Sequence, residues 1–340
     1  MKNALTYAIC AATSLLCGPA IAADSDITTY REMCDASASV ALDANHFVVA
    51  DDEMNVLRVY RRGQPSSVAQ VDLSKFLGTK PDKESDLEGA ARVGNTIFWI
   101  SSHGTNSEGK VQDRRRRFFA TEVIPGSSPP TLRPLGKPYS TLVDDLAKLS
   151  QYKLGEAATK PPKTFGALNI EGLAEGVNGN LLIGFRNPLP GNKALIIPLK
   201  NPTELVDEKP EAREKPEVRE KAEVRQKIEA SFGTPIELDL QGRGIRSIER
   251  VGSAYLIVAG PIDGKGDFKL FRWSGKENGE GIEPVDAPAL KGLFPEAMFA
   301  IPETGEVQIL SDDGTFPVGG GECKGAARTE QTFRSVTIKP

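Results

Sequence analysis

The sequence predicts an all-β protein, a β-propeller with five blades, and six blades is the nearest alternative within this fold class. Short β-rich runs alternate with polar turns along the middle of the chain, which is typical of all-β folds. The chain holds 33 glycines and 24 prolines, spread along its length as turn residues would be. A weak internal repeat of five segments indicates radial repetition of one four-stranded unit. A β-sandwich is the alternative architecture.

Each repeat runs through a turn, a small or acidic residue, a hydrophobic run, a hairpin and a second strand. The spacing between repeats exceeds that of compact blades, so loops must be inserted between the strands. A terminal strand at residues 27–30 is predicted to join the last blade, because ring closure removes exposed sheet edges. The inner strands of the blades are predicted to begin near Ala36, Glu88, Glu171, Arg246 and Glu296.

Two segments fall outside the repeat. Residues 140–160 have apolar spacing suited to one short helix. Residues 208–225 read EKPEAR, EKPEVR and EKAEVR, a hexapeptide repeat of nearly balanced charge. We therefore expect residues 207–230 to form a mobile, solvated insertion in the third blade. A role in binding a protein partner is the alternative for this insertion.

The N-terminus predicts export. Lys2 precedes a mostly apolar stretch over residues 5–17, and Ala20-Ile21-Ala22 forms a small-x-small cleavage signal. These features are typical of a secretory signal peptide, so we assign residues 1–22 to the signal and residues 23–340 to a single propeller domain. The mature protein is predicted to be periplasmic or secreted. A buried N-terminal helix is the alternative.

The overall charge excludes some partners. Lys and Arg number 42 against 46 Asp and Glu, a formal net charge of −4, which argues against a dedicated nucleic-acid binder. Apolar runs stay below the roughly 18–20 residues of a membrane span. We expect no nucleic-acid partner and no stable membrane insertion after signal cleavage. A small-molecule ligand is the expected partner, with a protein partner as the alternative.

Four cysteines are present, and Cys10 and Cys17 leave with the signal peptide. Cys34 and Cys323 remain near the two ends of the mature chain. An oxidising compartment favours their pairing, and both are placed in loops of neighbouring first and last blades. Two buried free thiols are the alternative.

In a four-stranded blade, the loop that enters the inner strand and the loop that joins strands two and three lie on one face, here called the top face. Loops on a rigid scaffold are where sites are built. The repeat places converging carboxylates there, which need a cation or a proton, and oxygen ligands suit Ca²⁺ or Mg²⁺. The alternative is that each glutamate caps its own loop. The predicted metal ligands are Glu88, Glu171, Glu296, Asp86 and Asn169.

The remaining top-face residues predict ligand binding. Arginine side chains suit carboxylate or phosphate groups, although they could instead pair with the glutamates. His103 is the one histidine near this mouth and is the candidate general acid or base. The arginines at residues 114–117 are interpreted as a solvated strand edge. The predicted ligand-binding residues are Arg186, Asn187, Arg243, Arg246 and Asp52.

Several motifs in this set resemble a bacterial family of exported proteins classed as domain of unknown function 3616. The motifs are Asp86-Leu-Glu-Gly-Ala, Trp99-Ile-Ser-Ser-His-Gly, Asn169-Ile-Glu-Gly-Leu, Ile183-Gly-Phe-Arg-Asn-Pro and Gly242-Arg-Gly-Ile-Arg-Ser. The resemblance covers roughly residues 34–275 and implies no particular activity. A looser, architectural similarity links the chain to phytase-like esterase and lactonase propellers, and it transfers no mechanism.

Three functions are consistent with these observations. The first is binding of a small polar, anionic or polyhydroxy ligand at the top-face channel mouth, with a divalent cation. The second is a metal-assisted hydrolase of esters, lactones or phosphates. The third is a scaffold for another envelope protein.

Overall fold

The computed structural model describes residues 27–207 and 228–340. The predicted signal peptide, residues 1–22, lies outside the described residues, as do residues 208–227 of the predicted insertion. In the described part of the chain, no helix is both long and apolar enough to cross a membrane.

The described chain begins with strand β1 (Thr28–Arg31), and most of the remaining strands form antiparallel four-stranded sheets in chain order. The first blade holds β2 (Ala38–Ala41), β3 (His46–Ala50), β4 (Val56–Arg61) and β5 (Ser67–Asp72). The second holds β6 (Leu87–Val93), β7 (Thr96–Ser101), β8 (Phe118–Val123) and β9 (Leu132–Tyr139). The third holds β10 (Asn169–Glu175), β11 (Leu181–Asn187), β12 (Ala194–Leu199) and β13 (Ile236–Leu238). The fourth holds β14 (Gly244–Val251), β15 (Ala254–Gly260), β16 (Lys269–Trp273) and β17 (Ile282–Val285).

The fifth blade combines both ends of the described chain. It contains β18 (Pro295–Ala300) and β19 (Val307–Ser311), followed, after a small hairpin of β20 (Pro317–Val318) and β21 (Gly321–Glu322), by β22 (Thr332–Ile338). The N-terminal strand β1 supplies the outer edge by pairing with β22, from Thr28 opposite Ser335 to Arg31 opposite Thr332. The prediction that residues 27–30 join the last blade is therefore confirmed.

The inner strands close into a ring. Each of β2, β6, β10, β14 and β18 packs beside the inner strand of the next blade, and β18 packs against β2. The five-bladed β-propeller is thus confirmed, and both the six-bladed and the sandwich alternatives are wrong. The inner strands begin within a few residues of the predicted positions.

The hydrophobic core lies between the blades. Five clusters of buried apolar side chains each join two adjacent blades, because the strands of a propeller bury both faces. The cluster between the last and first blades is rich in aromatic rings, and Tyr30 of β1 stacks on Phe333 and meets Phe47 edge to face. This seam also carries the Cys34–Cys323 disulfide, whose Cα atoms are 5.9 Å apart. The predicted pairing is confirmed.

In the part of the chain that the structure describes, four short α-helices lie in the connections between strands. The helices are α1 (Ser74–Leu77), α2 (Leu142–Leu146), α3 (Leu154–Ala157) and α4 (Pro202–Val206). The single helix predicted within residues 140–160 is therefore two helices, α2 and α3, and both pack into the cluster between the second and third blades. The long connection that holds them continues to the top face and reaches the channel mouth at Pro162 and Lys163.

Candidate functional site

A β-bulge shapes the start of four inner strands. In each strand one residue is left without an opposite partner where the pairing register shifts by one position. Bulges re-aim a side chain and are common beside functional sites. The unpaired residue is Glu88, Glu171, Arg246 or Glu296 in β6, β10, β14 and β18 respectively. The position that recurs in the sequence repeat is therefore the site of a β-bulge in four of the five inner strands.

A small residue follows each bulge because the inner strands approach closely there. A Cβ on Gly172 would lie 2.8 Å from Cγ2 of Ile245 and 3.1 Å from Cα of Gly184. Both distances are too short for an added methyl group without displacement. The Glu-Gly pair thus combines an acidic side chain directed at the channel with the close packing that the ring requires.

The bulged residues meet at one cavity of about 300 Å³ on the top face. Seven carboxylates and four basic side chains line it, so its charge is negative when all are ionised. Two phenylalanines and several loop residues complete the wall. The lining residues are Asp52, Asp86, Glu88, Arg115, Pro162, Lys163, Asn169, Glu171, Arg186, Arg246, Asp263, Gly264, Phe268, Phe294, Glu296, Asp312 and Thr315.

Glu171 is the centre of an ion-pair network. Its Oε1 accepts hydrogen bonds of 2.7 Å from Nη1 of Arg186 and 2.7 Å from Nδ2 of Asn169. Its Oε2 lies 3.0 Å from Nη1 of Arg246, whose Nη2 is 2.6 Å from Oε1 of Glu296. The structure therefore agrees with the alternative hypothesis for Arg186 and Arg246, in which they pair with the glutamates of the protein. Both arginines are committed to carboxylates of the protein.

Glu88 lies in a different environment. Within residues 27–207 and 228–340 it forms no ion pair, and its Oε2 is buried without a hydrogen-bond partner. Burial, then the nearby carboxylates of Glu171 and Glu296, raise the pKa of Glu88 well above its usual range. Burial also raises the pKa of Glu296 strongly, although Arg246 opposes that shift. This concentration of carboxylates favours either a bound proton or a bound cation.

Three overlapping groups of carboxylates lie at the mouth and beside it. Ligand oxygens of Glu88, Glu171 and Glu296 lie within 4.8 Å of one another, and Glu88 belongs equally to a second group with Asp52 and Asp86. Asp52 in turn joins a third group with Asp35 and Asp51 beside the disulfide. The sequence did not identify this third group as a site, because its two added aspartates look like ordinary turn residues.

Three residues predicted for the site lie elsewhere. His103 is fully buried and does not line the cavity; its Nδ1 is 2.8 Å from the backbone oxygen of Ser101. Burial lowers the pKa of His103 to about 4, so the ring is neutral near pH 7. Asn187 is also buried, and its Nδ2 donates to the backbone oxygens of Pro162 and Thr164. It positions the mouth loop rather than facing the cavity.

Arg243, the third of these residues, is partly exposed outside the cavity lining. Its guanidinium donates to the backbone oxygens of Asp267 and Gln241. By contrast, Arg186, Arg246, Asp52, Glu88, Glu171, Glu296, Asp86 and Asn169 all line the cavity.

Several cavity residues were missed by the sequence analysis. Arg115 was assigned to a solvated edge, yet it lines the cavity, with Nη1 3.3 Å from Oδ2 of Asp86 and Nη2 2.9 Å from Oε1 of Glu84. Phe268 and Phe294 also line the wall, on top-face loops. The sequence analysis had placed both loops on the top face. It considered only their polar residues as site candidates, so the two phenylalanines were missed.

Comparison with known proteins supports the fold and one family resemblance. Among curated protein sequences, none matches this chain. The major Malassezia sympodialis allergen Mala s 1 has 11% identity and a TM-score of 0.53, with 92% of this chain and 95% of that chain covered. Myxococcus xanthus glutaminyl cyclase has 12% identity and a TM-score of 0.47, with 92% and 94% covered. At 11% identity the likeness to Mala s 1 concerns the fold alone.

The family comparison covers part of the glutamate and arginine network. The profile of a family described as "Protein of unknown function (DUF3616)" matches residues 139–295. This range contains the third and fourth blades, with Glu171, Arg186 and Arg246. The resemblance read from the sequence motifs is confirmed over this range: the chain is a five-bladed β-propeller that resembles the DUF3616 family.

Proposed function

We propose that this protein is exported and binds a divalent cation at the top-face channel mouth, through which it holds a small polar ligand. The observation that carries the proposal is the cluster of Glu88, Glu171 and Glu296, whose ligand oxygens lie within 4.8 Å of one another. All three side chains are at least nine-tenths buried. Two arginines, Arg186 and Arg246, contact this cluster, so its three carboxylates leave one negative charge buried and unbalanced, which is costly unless a cation or a proton is bound.

The charge balance favours a cation over a directly bound anion. Three of the four basic side chains at the cavity, Arg115, Arg186 and Arg246, already pair with carboxylates of the protein. Glu88 has no such partner in the described chain, and Asp52 and Asp86 lie beside it. Oxygen donors of this kind suit the hard cations Ca²⁺ and Mg²⁺. We assign Glu88, which belongs to both acidic groups, as the central donor, with Glu171 and Glu296 from the first group, Asp52 and Asp86 from the second, and Oδ1 of Asn169.

An anionic group on the ligand would then be held through the cation. Lys163 reaches the cavity from a loop of its rim, where it would add a charge-assisted hydrogen bond to the ligand. The expected ligand is still polar, but Arg243 and Asn187 would not contact it. His103 has no role in it, because the ring is buried outside the cavity.

A metal-assisted hydrolase is the second candidate, favoured by the position of the proposed cation donors on the lining of a cavity that a ligand could enter. The cation would polarise an ester or phosphate or activate a water molecule. A panel of an aryl acetate, a lactone and an aryl phosphate, each with added CaCl₂, tests this candidate. Turnover that Glu88→Gln abolishes would favour the hydrolase, and its absence would favour binding alone.

Calorimetric titration with CaCl₂ and, separately, MgCl₂ tests the cation site. We expect one of the two cations to bind and Glu88→Gln to weaken binding by about tenfold or more, because affinity follows the number of charged ligands. Glu249→Gln is the matched control: Oε1 of Glu249 accepts a 3.0 Å hydrogen bond from the Ala300 amide, away from the cavity, and an amide oxygen can replace it. Failure of both cations to bind would overturn the proposal, as would equal affinities for the two variants.

Export has its own test. N-terminal sequencing of the protein recovered from the periplasm or the medium should begin at Ala23. A protein retained in the cytoplasm with Met1 intact would contradict this part of the proposal.

A further inference from the structure

The cavity contains both donors and acceptors that lack partners. Buried oxygens of Glu88, Glu296 and Asn169 have no hydrogen-bond donor in the described chain, and Nε of Arg246 has no hydrogen-bond acceptor there. Each of these side chains is more than nine-tenths buried and lines the same cavity. Buried polar groups are normally satisfied, so a mixed set points to a ligand that offers both kinds of partner.

One wall of the cavity is aromatic. Phe294, just before β18, is 40% exposed, and Phe268, just before β16, is half-buried. The two rings meet edge to face with centroids 6.3 Å apart. The Arg246 guanidinium lies 5.9 Å from the Phe268 centroid, so the polar floor and the aromatic wall are continuous. A ring face that is only partly covered can receive an apolar surface.

Few ligand chemistries match the floor and the wall together. An ammonium group donates to carboxylates but cannot accept from Arg246, and a phosphate ester dianion accepts from Arg246 but has no proton to donate to the carboxylates. A hydroxyl group does both. A sugar ring carries several adjacent hydroxyls on its rim and a face of C–H groups that packs on an aromatic ring.

We infer that the mouth recognises a sugar unit, with its C–H face against Phe294 and its hydroxyls on Glu88, Glu296 and Arg246. This inference rests on the proposed function, because adjacent hydroxyls would also complete the coordination of the cation. The cavity of about 300 Å³ suits one unit, at the lower end of the usual range for ligand pockets. The ligand is therefore a free monosaccharide or the terminal unit of a glycan.

Saturation-transfer NMR on the full protein with added CaCl₂ tests the inference. The probes are glucose, galactose, mannose, fucose, N-acetylglucosamine and glucuronic acid, with spermidine and inorganic phosphate as the competing chemistries. We expect at least one sugar to bind, with transfer strongest to its ring C–H protons. Phe294→Leu should raise the dissociation constant by about tenfold. Phe316→Leu is the matched control, since that ring is 37% exposed and lies outside the cavity lining.

The outcomes separate this inference from the function on which it rests. If no sugar binds at about 10 mM while calorimetry shows cation binding, the sugar inference falls and the cation site stands. If Phe294→Leu and Phe316→Leu bind the sugar equally, the aromatic contact is wrong and the inference falls. Sugar binding that persists after a chelator, in a protein that binds no cation, would support the sugar site and overturn the cation site.

Discussion

Replacing both Cys34 and Cys323 by alanine should cost a large part of the protein's stability. The bond joins residues separated by 289 positions, so in the unfolded chain it closes a loop that spans almost all of the described residues. Loop-closure entropy for this length gives about 5–6 kcal/mol, whereas removal of native disulfides typically costs about 2–5 kcal/mol. We expect a loss of about 3–5 kcal/mol in the free energy of unfolding.

The location of the bond adds a local consequence. It fastens the loop before β2 to the loop between β19 and β22, at the seam where β1 completes the fifth blade. Tyr30 and Phe333 hold the same seam by stacking, so the ring should still close without the disulfide, but it should open there first. Amides of β1 and β22 should lose protection from hydrogen exchange more than those of β10 and β11.

Guanidinium unfolding followed by far-UV circular dichroism measures the global effect. Reductant should destabilise the parent protein by a similar amount and leave the double alanine variant unchanged. A loss below about 1 kcal/mol would refute the entropic reasoning, which requires several kcal/mol for so long a loop. Uniform loss of exchange protection across all five blades would refute the assignment of the seam as the first part to open.

The other predictions concern the channel and the blades. Arg246→Met should lower the free energy of unfolding by about 3–5 kcal/mol, because it leaves buried carboxylates unpaired. Added Ca²⁺ should recover part of the loss. The control Arg243→Met removes only contacts to backbone oxygens and should have a small effect. Gly172→Ala should cost about 1–3 kcal/mol by overpacking, measured by thermal unfolding, whereas Gly325→Ala meets open space and should be neutral. Burial, with a smaller contribution from a neighbouring carboxylate, raises the pKa of Glu249 from 4.5 to about 7. The stabilisation that the protonated Glu249 side chain provides is therefore lost as pH rises from about 4.5 to 7. Glu249→Gln should flatten the dependence of the free energy of unfolding on pH over that interval. Equal losses in either matched pair, or an unchanged pH profile, would contradict these assignments.

Much of the fold follows from local patterns in the sequence. Alternating hydrophobic runs, turn residues and their fivefold repetition are short-range signals, so the number of blades and the starts of the inner strands could be predicted. The disulfide followed from the same topology, because only a closed ring brings Cys34 and Cys323 together. The equivalent repeat position also identified Glu88, Glu171 and Glu296 as neighbours, since each begins an inner strand.

The tertiary structure decided the direction and partner of each side chain. His103 and Asn187 follow strands that end at the top face, as predicted, but both turn inward and are fully buried. Which arginine pairs with which glutamate was likewise undetermined: Arg246 reaches Glu171 and Glu296, while Glu88 is left without an ion pair in the described chain. The alternation of side chains along a strand sets the face on which a residue lies. Charge pairing and the choice of rotamer depend instead on neighbours that are far away in the chain. The sequence alone therefore determined the ring and its acidic mouth, and only packing between blades determined which groups remain available to a ligand.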